Sequence, residues 1–260
     1  MNELDRGGLE SGTGNLSRDP EAGSLSDQLK IFAREIGLLY SAERVRTREL
    51  EHALERAREM YIATMKSLAH VVEAKDPTTR GHLDRTAAYG IALTQEVDPE
   101  LAARPEVMHG FFLHDIGKVG IPESILCKPG PLTELEWVVM RSHPNQGARI
   151  VEPIPFMEKA VEIVRSHHER WDGGGYPRGL RGEEIPLAAR IFAIADSYDA
   201  MTSDRPYRTA LDPECAAEEI RAGSGTQFDP RCVEAFEALV ERGDGFPLQD
   251  RRRVPTLATG

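Results

Sequence analysis

Between Leu25 and Lys75 the chain contains no proline and a single glycine, Gly37, and its apolar residues recur three and four apart. Leu25, Leu29, Phe32, Ile36 and Leu39 are followed by Leu50, Ala53, Ala57 and Met60. That is the period of an α-helix, close to a heptad. Propensity alone does not hold so long a helix in water, so its apolar seam needs a cover. A second copy, paired as a dimeric coiled coil, provides one. Glu43 and Arg46 fall on the seam and make its middle polar. The alternative is one amphipathic helix lying on its own domain.

The 24 residues before Leu25 carry almost no bulky apolar side chains, and this composition predicts a disordered tail over 1–24. Asp76-Pro77 ends the long helix. Helical patterns follow over about 81–97, 107–116, 156–168, 186–203, 212–222 and 231–241. Thr133 and Glu136 read as a capping box opening a helix that ends near His143-Pro144. Strand signals are weak, so the expected fold class is all-α. The expected domains are a helical linker over 25–67, a catalytic domain over 68–245 and a loose C-terminal tail over 246–260.

Acids outnumber bases 43 to 32, giving a net charge of −11. Such a chain is a poor general binder of nucleic-acid polymers or membrane surfaces. Cys127, Cys215 and Cys232 are widely separated, which fits a reducing compartment. There is no apolar run of membrane-spanning length and no apolar core of a signal peptide near the N-terminus. The expected location is the cytoplasm.

The histidines carry the chemistry. His52, His70 and His109 stand apart from any shared motif and read as surface or core residues. The other five do not. His114-Asp115 follows the apolar run Phe111-Phe112-Leu113. His167-His168 closes an amphipathic helix and leads into a loop with three successive glycines, Gly173 to Gly175. Asp196 sits on an apolar helical face, where a carboxylate demands a partner: a metal, or a buried arginine such as Arg85, Arg205 or Arg208. His82 opens a helix and His143 stands at a helix end. Five imidazoles and two carboxylates without a thiolate favour iron, manganese or another first-row ion over a structural zinc cluster. That many donors exceed the needs of one ion, so two divalent ions sharing a bridging carboxylate are expected.

These residues resemble the HD-GYP domain, a branch of the HD phosphohydrolase superfamily. The matching runs include residues 76–82, His114-Asp115-Ile116-Gly117-Lys118, Lys128-Pro129-Gly130, His143-Pro144 and the stretch from His167 to Pro177. They continue through Gly182–Pro186, Ala195–Arg208 and Gly225–Pro230. The resemblance implies an all-α HD-type bundle that hydrolyses cyclic di-GMP, a bacterial second messenger, to pGpG and on to GMP in many members. It implies that His82, His114, Asp115 and Asp196 hold one ion. Asp115 would bridge to a second ion carried by His143, His167 and His168. Lys118 would contact phosphate, and Tyr176, Arg205 and Arg208 would hold substrate. Glu169 and Asp172 would orient the histidine pair and its loop. Some members carry a glutamate four residues before the first ligand histidine and use it for a third ion; here that position is Thr78, so two ions are expected.

The expected reaction is in-line attack on phosphorus by a hydroxide bridging the two ions, with Lys118 adding positive charge at the non-bridging oxygens. Other readings are an HD enzyme acting on mononucleotides, against which the Gly-Tyr-Pro run argues, hydrolysis of cyclic GMP-AMP, and a module that binds without cleaving. The long helix then serves as a signalling connector. Regulation would come from a separate regulatory or diguanylate-cyclase-type protein, or the chain is a fragment of a longer one.

Overall fold

A computed structural model describes residues 20–75, 81–204 and 209–243, with side chains from residue 25. The helices are α1 (Pro20–Lys75), α2 (His82–Val97), α3 (Pro99–Ala102), α4 (Pro105–Leu113), α5 (Glu123–Leu126) and α6 (Glu134–Met140). They continue with α7 (His143–Val151), α8 (Glu158–Ser166), α9 (Leu187–Thr202), α10 (Pro213–Ala222) and α11 (Pro230–Arg242). Among the described residues there is no strand beyond one isolated bridge, Ser224 to Phe228, and the fold is all-α. No described helix is long and apolar enough to cross a membrane.

The chain divides into two compact units, Met1–Glu59 and Met60–Gly260. In the first, α1 begins at Pro20, inside the stretch expected to be unstructured, and residues 1–19 lie outside the described set. Every described side chain from Leu25 to Glu59 is exposed.

The second unit is the helical bundle. Here the last turns of α1 bury Met65, Ala69 and Val72 in the core. Helix α2 packs on α9 and α4 on α8. The centre is aromatic: Phe111 stacks on Phe192 with ring centroids 4.6 Å apart, and Tyr89 meets Tyr198 edge-on at 5.5 Å. Gly90 makes room for this, since a Cβ there would lie 2.8 Å from the Phe111 ring.

Several helix ends differ from the sequence reading. Helix α4 stops at Leu113 rather than continuing through Ile116; Ile116–Gly120 forms a 3-10 turn. The capping box at Thr133 is present, with Glu136 returning to the Thr133 backbone, but α6 ends at Met140. His143 starts α7 instead of ending α6. Pro144 stands in the first turn, where a proline's missing N–H costs nothing. Phe156 does not belong to α8; its φ of 62° is left-handed and its side chain is 80% exposed. Residues 246–260 lie outside the described set.

Candidate metal centre

Five segments of the bundle bring the candidate ligands together. His82 is the first residue of α2, and His114 and Asp115 occupy the corner between α4 and the 3-10 turn. His143 opens α7, and His167 and His168 follow the last turn of α8. Asp196 comes from the middle of α9. The corner is held close to α7 by Gly117, where a Cβ would fall 1.9 Å from the His143 carbonyl oxygen. Lys75, the last residue of α1, donates to the Val119 and Ile121 carbonyls at 3.2 and 3.0 Å and so pins the far end of the turn.

The ligand atoms form two groups that share Asp115: one with His82 and His114, the other with His143, His167 and His168. Within each group they lie within 4.8 Å of one another. Asp115 Oδ2 is 3.3 Å from His114 Nε2, and its Oδ1 is 3.2 Å from His143 Nε2 and 3.8 Å from His167 Nε2. Asp196 Oδ1 lies 3.3 Å from His82 Nε2. Of the arginines left open as an alternative partner for Asp196, Arg85 binds Asp199 instead, through Nη2 at 3.1 Å and through Nε. Arg205, Arg208 and Thr78 lie outside the described residues.

The imidazoles are aimed from behind. Nδ1 of His114, His143 and His167 lies 2.8–2.9 Å from the carbonyl oxygens of Phe111, Met140 and Val164. A carbonyl only accepts, so Nδ1 carries the proton and Nε2 turns a lone pair toward the cluster. His82 does the same toward Asp199, with Nδ1 at 2.7 Å from Oδ2. Asp199 was not singled out from the sequence, although it stands one turn beyond Asp196 on the same helix.

This arrangement suits cations. His143 Nε2 and His167 Nε2 are 3.3 Å apart, and two lone pairs at that distance repel unless positive charge lies with them. His114 Nε2 and Asp115 Oδ1 are buried without a hydrogen-bond partner. Burial pushes the His167 and His168 imidazoles down, with their histidine neighbours adding to it, and His168 falls to about 3. Both are thus neutral donors at neutral pH. Burial would raise the Asp115 carboxyl, but Lys118 and His114 outweigh it and hold it well below the usual range. Burial would likewise lower His82, yet Asp196 and Asp199 override it and push it up to about 9. The two carboxylates make this a place for positive charge, proton or metal. The nitrogen and oxygen donors fit a first-row divalent ion.

Around the cluster, Lys118 Nζ is 2.7 Å from Asp115 Oδ2. Tyr176 lies against His168, with ring centroids 4.7 Å apart. The loop bearing it folds back tightly: a Cβ on Gly175 would sit 2.6 Å from the His168 carbonyl oxygen. The Glu169 carboxylate accepts from the Arg178 and Leu180 backbone N–H groups at 2.8 and 3.0 Å. Asp172 accepts from Gly174 N and Arg170. Both acids therefore shape the loop. Of the histidines set aside, His70 lies 3.1 Å from Glu73, and His109 meets Tyr61 edge-on at 6.0 Å. Both fall outside the two ligand groups.

Residues 66–232 match the HD domain family, and the chain belongs to it. It is 43% identical over 195 residues to a cyclic di-GMP phosphodiesterase of Vibrio cholerae, covering 68% of this chain and 39% of the relative. A cyclic di-GMP phosphodiesterase of Thermotoga maritima is 43% identical over 169 residues, 64% of this chain and 46% of the relative. A 3'3'-cGAMP-specific phosphodiesterase of V. cholerae is 40% identical over 182 residues, 69% of this chain and 34% of the relative. The chain thus spans less than half the length of these relatives. Among solved structures, a cyclic GMP-AMP phosphodiesterase of V. cholerae matches with a TM-score of 0.51 at 24% identity, over 68% of this chain and 48% of that one. That likeness speaks to the fold.

Proposed function

We propose that the bundle is an HD-GYP-type phosphodiesterase that hydrolyses cyclic di-GMP to pGpG, and further to GMP, with two divalent ions, iron or manganese. The observation that carries this reading is Asp115, whose two oxygens face separate groups of histidines. His82, His114, Asp115 and Asp196 would hold one ion, and Asp115, His143, His167 and His168 the other. When bound there, such ions would supply an acidified water and a counter-charge for the phosphoryl oxygens. The protein's own groups do the rest. The backbone carbonyls behind three imidazoles and Asp199 behind His82 keep the donor atoms turned inward. Lys118 adds a cation at the rim for the non-bridging oxygens. Tyr176, Arg205 and Arg208 would position the substrate. The relatives' names support the substrate class, and those specific for cGAMP favour cyclic GMP-AMP as the second candidate.

The part of α1 in the first unit fits a dimer seam, and a separate regulatory protein acting through it fits a connector role. Both belong with a cytoplasmic enzyme. Product analysis with cyclic di-GMP beside cyclic GMP-AMP and mononucleotides tests the function. Formation of pGpG that needs a divalent ion supports it; cleavage of mononucleotides alone contradicts it. Lys118→Ala separates roles, because it should keep the metal and lose ~10²–10³ in turnover. Release of metal by that variant would show that Lys118 serves the ligand set instead.

A further inference from the structure

A row of planar side chains leads outward from the metal centre along the second group of histidines. Tyr176 rests on His168 at an interplanar angle of 33°. The Arg141 guanidinium lies 5.6 Å from the Tyr176 ring centroid and 5.5 Å from that of Trp137. Both distances are within cation–π reach. Trp137 and Arg141 are four residues apart, at the end of α6, so they share one face. Arg141 also stands two residues before His143, and the same short turn places both.

Two features bear on what this pair can take. Among the described residues the Arg141 guanidinium has no carboxylate partner and lies over two aromatic rings instead. Its fork of donors is therefore directed by aromatic faces and is open to an in-plane acceptor. Trp137 keeps 39% of its surface exposed while its ring lies beside the Arg141 guanidinium. An exposed indole beside an oriented guanidinium matches a purine: a π face to stack on and acceptors on its edge.

We infer that Trp137 and Arg141 form a purine-binding subsite of the centre, taking a base of the cyclic dinucleotide while a phosphate lies at the metal site. This rests on the proposed activity on cyclic dinucleotides. The subsite would supply binding rather than chemistry, so its loss should appear in KM.

The test uses the full chain supplied with manganese and compares cyclic di-GMP with bis(p-nitrophenyl) phosphate, a diester lacking a purine. Trp137→Ala and Arg141→Ala should each raise KM for cyclic di-GMP about tenfold or more relative to the small diester, with metal content retained. Trp137→Phe, which keeps a stacking face, should recover most of the affinity. Arg141→Lys, which keeps charge but loses the planar fork, should resemble Arg141→Ala. In metal-free protein, cyclic di-GMP should quench tryptophan fluorescence, and Trp137→Phe should remove that quench. An unchanged ratio of the two KM values in both alanine variants overturns the subsite, as does full rescue by lysine. A wild-type protein that cleaves the small diester but no cyclic dinucleotide defeats the proposed function itself and this subsite with it.

Discussion

The two units of the chain treat water in opposite ways. From Leu25 to Glu59 the helix leaves large apolar residues outside, with Leu29 and Phe32 each 60% exposed. In the bundle from Met60 onward, polar groups are enclosed: His114, His143 and Asp199 are each 1% exposed. An uncovered apolar stripe and a buried cluster of donors are both costly in isolation. Each gains from a partner outside the single chain, on our reading a second copy for the helix and divalent cations for the cluster. A change in one unit should therefore leave the other's partner in place.

The largest expected effect comes from Asp115→Ala, which removes the carboxylate common to both ligand groups. Metal analysis should find both ions lost, and turnover should fall by ~10³-fold or more. Asp199→Asn touches no proposed metal ligand atom, but it weakens the acceptor behind His82. Its metal affinity should drop ~10–100-fold, measured by competition with a chelator. Unchanged affinity would make Asp199 a partner of Arg85 only.

Acid and alkali should act on the metal-free bundle in opposite senses. His168 is held near 3 against an ordinary 6.5, so the unfolded chain binds a proton that the folded one refuses. Stability then falls as pH drops below about 6.5. His82 is raised to about 9, so its stabilising charge is complete below 6.5 and is lost as pH rises through about 9. Thermal melts of chelator-treated protein should peak between these limbs, and Asp196→Asn should flatten the alkaline one. A smaller effect on the centre is expected from the helix. Replacing Ile36 and Leu39 together by aspartate should convert a dimer to a monomer in sedimentation while metal content stays unchanged. Loss of metal in that variant would break the separation of the two units.

Local sequence made the centre legible because most of its residues come in short runs. His114-Asp115 follows an apolar helix and His167-His168 closes an amphipathic one, where donors beside buried faces are conspicuous. The helical period likewise gave most elements to within a few residues. What escaped notice was set by distance and by turns. Asp199 gains its meaning from His82, 117 residues away, and no local spacing signals that pair. Pro144 reads as a stop in sequence, yet in the first turn of α7 it is a start, which moved His143 from the end of one helix to the beginning of the next. The 3-10 turn after Asp115 depends on Gly117 pressing against the α7 backbone, a contact between segments that periodicity does not encode.

The central claim is that Asp115 joins two ion sites. Counting divalent metal per chain in anaerobically purified protein, wild type beside Asp115→Ala, tests it most directly. Two ions in the wild type and none held tightly in the variant is the predicted result. A single ion in the wild type, or a variant that keeps two, would contradict it.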